Sequence, residues 1–124
     1  MTETIWDKEL VHSIVANQKA FFATGVTLDV SWRIQQLKKL RDAVRAHEAQ
    51  MVRALKEDLG RHPNEGYFCD IGTVIIEINE AIHGLRRWAR PDLHLSGLMC
   101  FPSVMTKVYK MPYGTTLIIS PFNF

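Results

Sequence analysis

Pro112-Tyr113-Gly114-Thr115-Thr116-Leu117-Ile118-Ile119-Ser120-Pro121-Phe122-Asn123-Phe124 is the stretch on which the reading of the whole chain turns. Its proline and glycine mark a turn, and residues 115–120 form an apolar, β-branched run without polar alternation. A strand that is apolar on both faces is suited to the interior of a sheet covered on both sides. A buried parallel strand also needs a crossover and flanking strands, and none follows before residue 124. This end of the sequence therefore reads as cut rather than finished.

Working back from the turn, Val104, Thr106, Val108 and Tyr109 give residues 103–110 the character of a short, exposed strand. With the turn at 111–114, residues 103–120 are expected to form a hairpin arm leading into a buried strand. Residues 92–102 show no defensible period and are expected to be a loop.

Everything upstream, residues 4–91, reads as helical. A first helix is expected at about 4–23, with a stripe of Leu10, Val11, Ile14, Val15, Gln18, Phe21 and Phe22, and Gly25 to end it. A second, at about 30–58, is capped by Asp29 or Ser31 and turns Ile34, Leu37, Leu40, Val44, Met51 and Leu55 inward. After the break at Leu59-Gly60-Arg61-His62-Pro63, Asn64 is the expected cap of a third helix, about 65–89, whose stripe is Phe68, Ile71, Val74, Ile75, Ile78, Ile82, Leu85 and Trp88. Arg90-Pro91 ends it, because a residue before proline is pushed out of helical geometry.

Composition narrows the function classes. With 124 residues, 47% of them hydrophobic and 23% charged, the chain is long enough for one globular unit with a core. A net charge of +2 leaves no bulk electrostatic case for nucleic acid or a membrane surface, and the basic cluster Lys38, Lys39, Arg41 and Arg45 reads as a solvated helix face. No run long enough for a membrane span occurs, and the acidic start is unlike a signal peptide. Cys69 and Cys100 form no CxxC, which favours reduced thiols and a cytoplasmic location, and no metal site is expected from them. The five histidines lie apart from any nucleophile motif. Gly60, Gly66 and Gly72 are evenly spaced, but the spacing reads as coincidence and not as a phosphate loop.

Several segments together resemble the class 3 branch of the aldehyde dehydrogenase superfamily. Trp32-Arg33-Ile34-Gln35-Gln36-Leu37 is similar to the opening of that family's second helix, and Ala54-Leu55-Lys56-Glu57-Asp58-Leu59-Gly60 to its end. Glu77-Ile78 echoes the third helix. Pro112-Tyr113-Gly114, the apolar strand and Pro121-Phe122-Asn123-Phe124 resemble the family's P-x-G, strand and Pro-Trp-Asn-Tyr arrangement, with Phe122 in place of the usual tryptophan. Both rings present a flat apolar face, so the exchange is conservative.

The resemblance implies an α/β fold. The chain would supply an amino-terminal three-helix element, a β-hairpin arm and the first strand of a Rossmann-like cofactor-binding domain, truncated at the start of the Pro-Phe-Asn motif (121–124). It implies oxidation of an aldehyde to a carboxylic acid with NAD or NADP, through a thiohemiacetal on a cysteine. By motif position Asn123 is the oxyanion-hole donor, Ile119, Ser120, Pro121 and Phe122 contact the cofactor, and Phe124 and Thr73 line the aldehyde tunnel. The nucleophilic cysteine and general-base glutamate belong to segments downstream of Asn123, so neither Cys69 nor Cys100 is the nucleophile, and the chain alone is expected to be inactive. In the full-length enzyme the resemblance implies a homodimer or higher homo-oligomer, with residues 103–111 contributing to subunit contacts. A free-standing helical interaction module of the same ancestry, and a relative that passes the acyl group to coenzyme A, are the competing readings.

Overall fold

The computed structural model describes residues 7–97 and 100–121. Helix α1, Lys8–Ala23, begins where the Asp7 carboxylate accepts the Leu10 amide at 2.7 Å. It stops at Thr24, followed by Gly25 at a φ of 77°, a left-handed conformation that glycine adopts without steric penalty. Residues 4–6 of the expected first helix lie outside the described residues. A short 3₁₀ turn, Val26–Leu28, leads to α2, Val30–Ala46. Asp29 is its cap, accepting the amides of Ser31 and Trp32 at 2.9 and 3.1 Å.

The single helix expected over 30–58 is two helices. At His47 the backbone leaves helical geometry, with φ −104° and ψ 6°, and α3 runs from Glu48 to Leu59. The His47 ring lies 2.8 Å from the Ala43 carbonyl through Nδ1, so that nitrogen must donate, since a carbonyl can only accept. Side-chain competition for a helix carbonyl is an alternative to helix continuation that apolar spacing does not register.

The third helical run starts earlier than expected, at α4, Pro63–Gly66, and passes through a π turn, Tyr67–Ile71, into α5, Gly72–Trp88. Its cap is His62, whose Nδ1 accepts the Asn64 amide at 3.3 Å, and not Asn64 itself. Proline suits the first helical position because its missing N–H would be unpaired there.

The two middle glycines have separate packing roles. A Cβ on Gly66 would meet Leu55 Cδ1 at 3.3 Å, so its absence lets α3 close onto α4. A Cβ on Gly72 would lie 3.1 Å from the Tyr67 carbonyl oxygen, inside the π turn.

The core is small. Ile71, Ile75 and Ile78 are the described hydrophobic side chains classed as buried, at spacings of four and three along one helix face. Helix α5 packs chiefly on α2. Arg86 donates to Ser31 at 3.3 Å and Arg41 to Asn79 at 3.2 Å, so residue numbers fall on α5 as they rise on α2, and the pair is antiparallel. The Phe21 and Trp32 rings, 5.9 Å apart, tie α1 to α2. Phe68, placed in the inward stripe by periodicity, is 71% exposed, because the π turn shifts the phase of the helix around it.

Residues 92–102 are not all loop. Strand β1, Asp92–Leu95, pairs antiparallel with β2, Met105–Val108, Asp92 facing Val108 and Leu95 facing Met105. Lys110 closes the open end by donating to Asp92 at 3.0 Å. The arm's partner is thus upstream, whereas a hairpin over 103–120 was expected. Four residues are too few to show a period, and the pairing is what makes β1 a strand. All eight strand residues are exposed.

Candidate functional site

The segment leading to the Pro-Phe-Asn motif is placed by α1. Gly114, with φ 107°, sits where a Cβ would be 3.5 Å from the Phe22 ring. Beyond it, Thr115, Thr116 and Leu117 border an open cavity of about 360 Å³ against Val11, Ile14 and Val15 of α1. The next residues leave the protein surface: Leu117, Ile118 and Ile119 are each 84% exposed. Among the described residues, 115–120 enter no ladder.

Ile119, Ser120 and Pro121 are therefore open to solvent, and the Ser120 hydroxyl donates to the Pro121 carbonyl at 3.3 Å. Phe122, Asn123 and Phe124 lie outside the described residues. Thr73 stands in the first turn of α5, exposed, its hydroxyl 3.0 Å from the Cys69 carbonyl and 3.2 Å from that of Asp70. One hydroxyl hydrogen is shared between these carbonyls, so Thr73 is engaged with its own helical run.

Cys69 and Cys100 are both exposed, free thiols. Among the described residues no group of three His, Cys, Asp or Glu side chains is arranged to hold a metal ion. No helix among them is long and apolar enough to cross a membrane.

One feature was not signalled by the sequence. Arg33 of α2, Leu85 and Trp88 of α5, and Lys110, Met111 and Pro112 border a cavity of about 480 Å³. Its walls come from segments up to eighty residues apart, so no local motif reports it.

Comparison with known proteins gives the family. The chain belongs to the aldehyde dehydrogenase family, whose model matches residues 4–124. It is 42% identical over 110 residues to a 4,4'-diaponeurosporen-aldehyde dehydrogenase of Staphylococcus aureus, covering 87% of this chain and 23% of that protein. It is 33% identical over 117 residues to aldehyde dehydrogenase family 3 member F1 of Arabidopsis thaliana, with 94% and 24% covered. A dimeric, NADP-preferring aldehyde dehydrogenase of Canis lupus familiaris is 29% identical over 114 residues, with 92% and 25% covered. The chain spans about a quarter of the length of these relatives.

Proposed function

We propose that this chain is the amino-terminal part of an NAD(P)-dependent aldehyde dehydrogenase, and that it supplies the oxyanion-hole amide, the start of the cofactor site and an oligomer-contact arm. The observation that carries this reading is the bare apolar segment 117–119, delivered by α1 and Gly114 directly before Pro121-Phe122-Asn123 in a chain that belongs to the family. Three adjacent large aliphatic side chains in water forgo on the order of 1.5 to 3 kcal/mol each. A covering sheet recovers that energy, which supports the segment as the first strand of a Rossmann-like domain.

In that setting residues 119–122 would help hold NAD or NADP, which would supply the hydride acceptor for the aldehyde carbon. The residues present suit such a group: residues 119–121 enter no ladder among the described residues, and Ile119 and Pro121 offer open apolar faces for a ring and ribose. As a cysteine thiolate from the remaining sequence attacks the aldehyde carbon, the C=O electron pair moves onto oxygen. The Asn123 amide donates to that oxygen. A donor held at a strand end stabilises the charge without waiting for solvent to reorganise, and removing one costs on the order of 100-fold or more in rate. Loss of hydride from the thiohemiacetal leaves a thioester, which water cleaves to the acid. Phe124 and Thr73 would line the approach of the aldehyde. The 4,4'-diaponeurosporen-aldehyde dehydrogenase relative supports an aldehyde of the kind its name gives, and the dimeric canine relative supports a homo-oligomer.

The test is a protein extended to the length of its relatives, assayed by reduced-cofactor absorbance with an aldehyde and NAD or NADP. Asn123→Ala is expected to lower kcat about 100-fold with a smaller change in cofactor affinity. An unchanged kcat would remove Asn123 from the mechanism, and the absence of any aldehyde oxidation would remove the reading itself.

A further inference from the structure

The cavity between α2, α5 and the segment following β2 has a chemistry that the proposed reaction does not use. Its walls are mostly apolar, with Leu85, Trp88, Met111 and Pro112 among them, and its two charged residues are Arg33 and Lys110. No carboxylate among the described residues borders it. Lys110 is already paired with Asp92 at 3.0 Å. Arg33 is different. Its Nη2 donates to the Leu28 carbonyl at 3.0 Å, its Nε is buried without a partner, and no carboxylate among the described residues forms an ion pair with it. Arg33 is half-buried and its Nη2 bond is exposed, but a buried Nε–H with no acceptor is costly, and the Leu28 carbonyl, bound at Nη2, does not meet it. The nearby end of α5 adds only the partial negative charge of its last carbonyls.

From this we infer that the cavity is a binding site for an aliphatic carboxylate, the carboxylate pairing with Arg33 and the alkyl chain lying against Trp88, Leu85 and Met111. At about 480 Å³ the cavity lies within the size range of small-molecule sites, which are typically apolar with a few placed polar groups. A guanidinium presents a planar fork that matches a carboxylate, so the acid is recognised over the alcohol of the same length. Lys110, half exposed and shared with Asp92, adds long-range attraction and little geometry. The site requires none of the residues assigned to aldehyde oxidation, so either inference can fail without the other.

The experiment uses the 124-residue chain, its folding first established by helical circular dichroism and a cooperative denaturant melt, titrated with sodium octanoate and, in parallel, with 1-octanol, followed by calorimetry and by tryptophan fluorescence. Octanoate is expected to bind saturably with a Kd below about 1 mM and at least tenfold more tightly than octanol. Arg33→Gln is expected to bring octanoate down to the affinity of octanol while leaving octanol binding as it was. Lys110→Gln is expected to weaken octanoate by less than about threefold. Equal binding of acid and alcohol by the unsubstituted chain, or no saturation by octanoate up to about 10 mM, would overturn the inference. The acid-to-alcohol comparison needs no variant, so it decides the matter even if Arg33→Gln, which also loses the bond to Leu28, fails to fold.

Discussion

Two glycines that differ by tenths of an ångström in their surroundings should respond differently to the same added methyl group. At Gly66 the new Cβ meets the tip of Leu55, which borders an open groove beside Met51 and can turn into it. Alanine also favours a helix over glycine by up to about 1 kcal/mol, so Gly66→Ala is expected to change stability by less than about 0.5 kcal/mol. At Gly72 the obstacle is the Tyr67 carbonyl oxygen, fixed in the π turn, and Gly72→Ala is expected to cost about 1 to 2 kcal/mol. Denaturant melts of both variants check the order, and an equal loss would contradict it. Asp29→Ala, which removes the acceptor for two orphan amides of α2, is expected to cost about 1 kcal/mol in the same assay. Asp29 was legible from sequence because capping chemistry is local. Asn123 is assigned for a different reason, its place in a motif, and lies outside the described residues, while Arg33 carried a family resemblance without its physical situation. That situation depends on Lys110 and Pro112 meeting α5, which spacing along the chain does not encode.

The elements divide according to how far away their causes lie. Helices α1 and α2 were readable at their ends, where Asp7, Gly25 and Asp29 act within a few residues. The break at His47 was not, since it contains neither glycine nor proline and interrupts no apolar stripe. Strand β1 was missed because its definition lies in β2, ten residues onward, and Phe68 was misplaced because a π turn changes the angular step that periodicity assumes. Within α5, Ile75 belongs to the small buried stripe, and Ile75→Ala is expected to lower stability by about 2 to 5 kcal/mol, enough to unfold much of the chain at room temperature. Circular dichroism would register this as lost helix, and a native-like spectrum would show that the stripe matters less than its burial indicates. The exposed segment should behave in the opposite way. Ile118→Lys removes apolar surface from a region with no partner, so light scattering at increasing concentration should fall while the melting temperature stays within about 2 °C.

For the whole molecule, the notable quantity is how little the chain hides. Among the described residues the three buried hydrophobic side chains all belong to one helical run, while large aliphatic and aromatic groups on α1, the hairpin and residues 117–119 face water. Exposed apolar surface of that extent marks a contact surface for other protein. On the proposed reading, which assigns the nucleophile and general base to segments downstream of Asn123, the 124-residue chain alone is expected to yield no reduced cofactor when mixed with aldehyde and NAD or NADP. Sustained turnover by that chain would overturn the proposed division of labour.

The π turn at Tyr67–Ile71 sets an angular relation between the two ends of the run from Pro63 to Trp88. One residue of an α-helix corresponds to a rotation of roughly 100°, so closing the turn into regular α-helix with every residue retained would swing the first turn of the run through about that angle. Gly66 would then no longer face Leu55, and α3 would lose its seat while α5 kept its own. The turn thus acts as a rotational offset: one residue beyond the regular repeat allows a single rod to present correctly phased faces to two different neighbours.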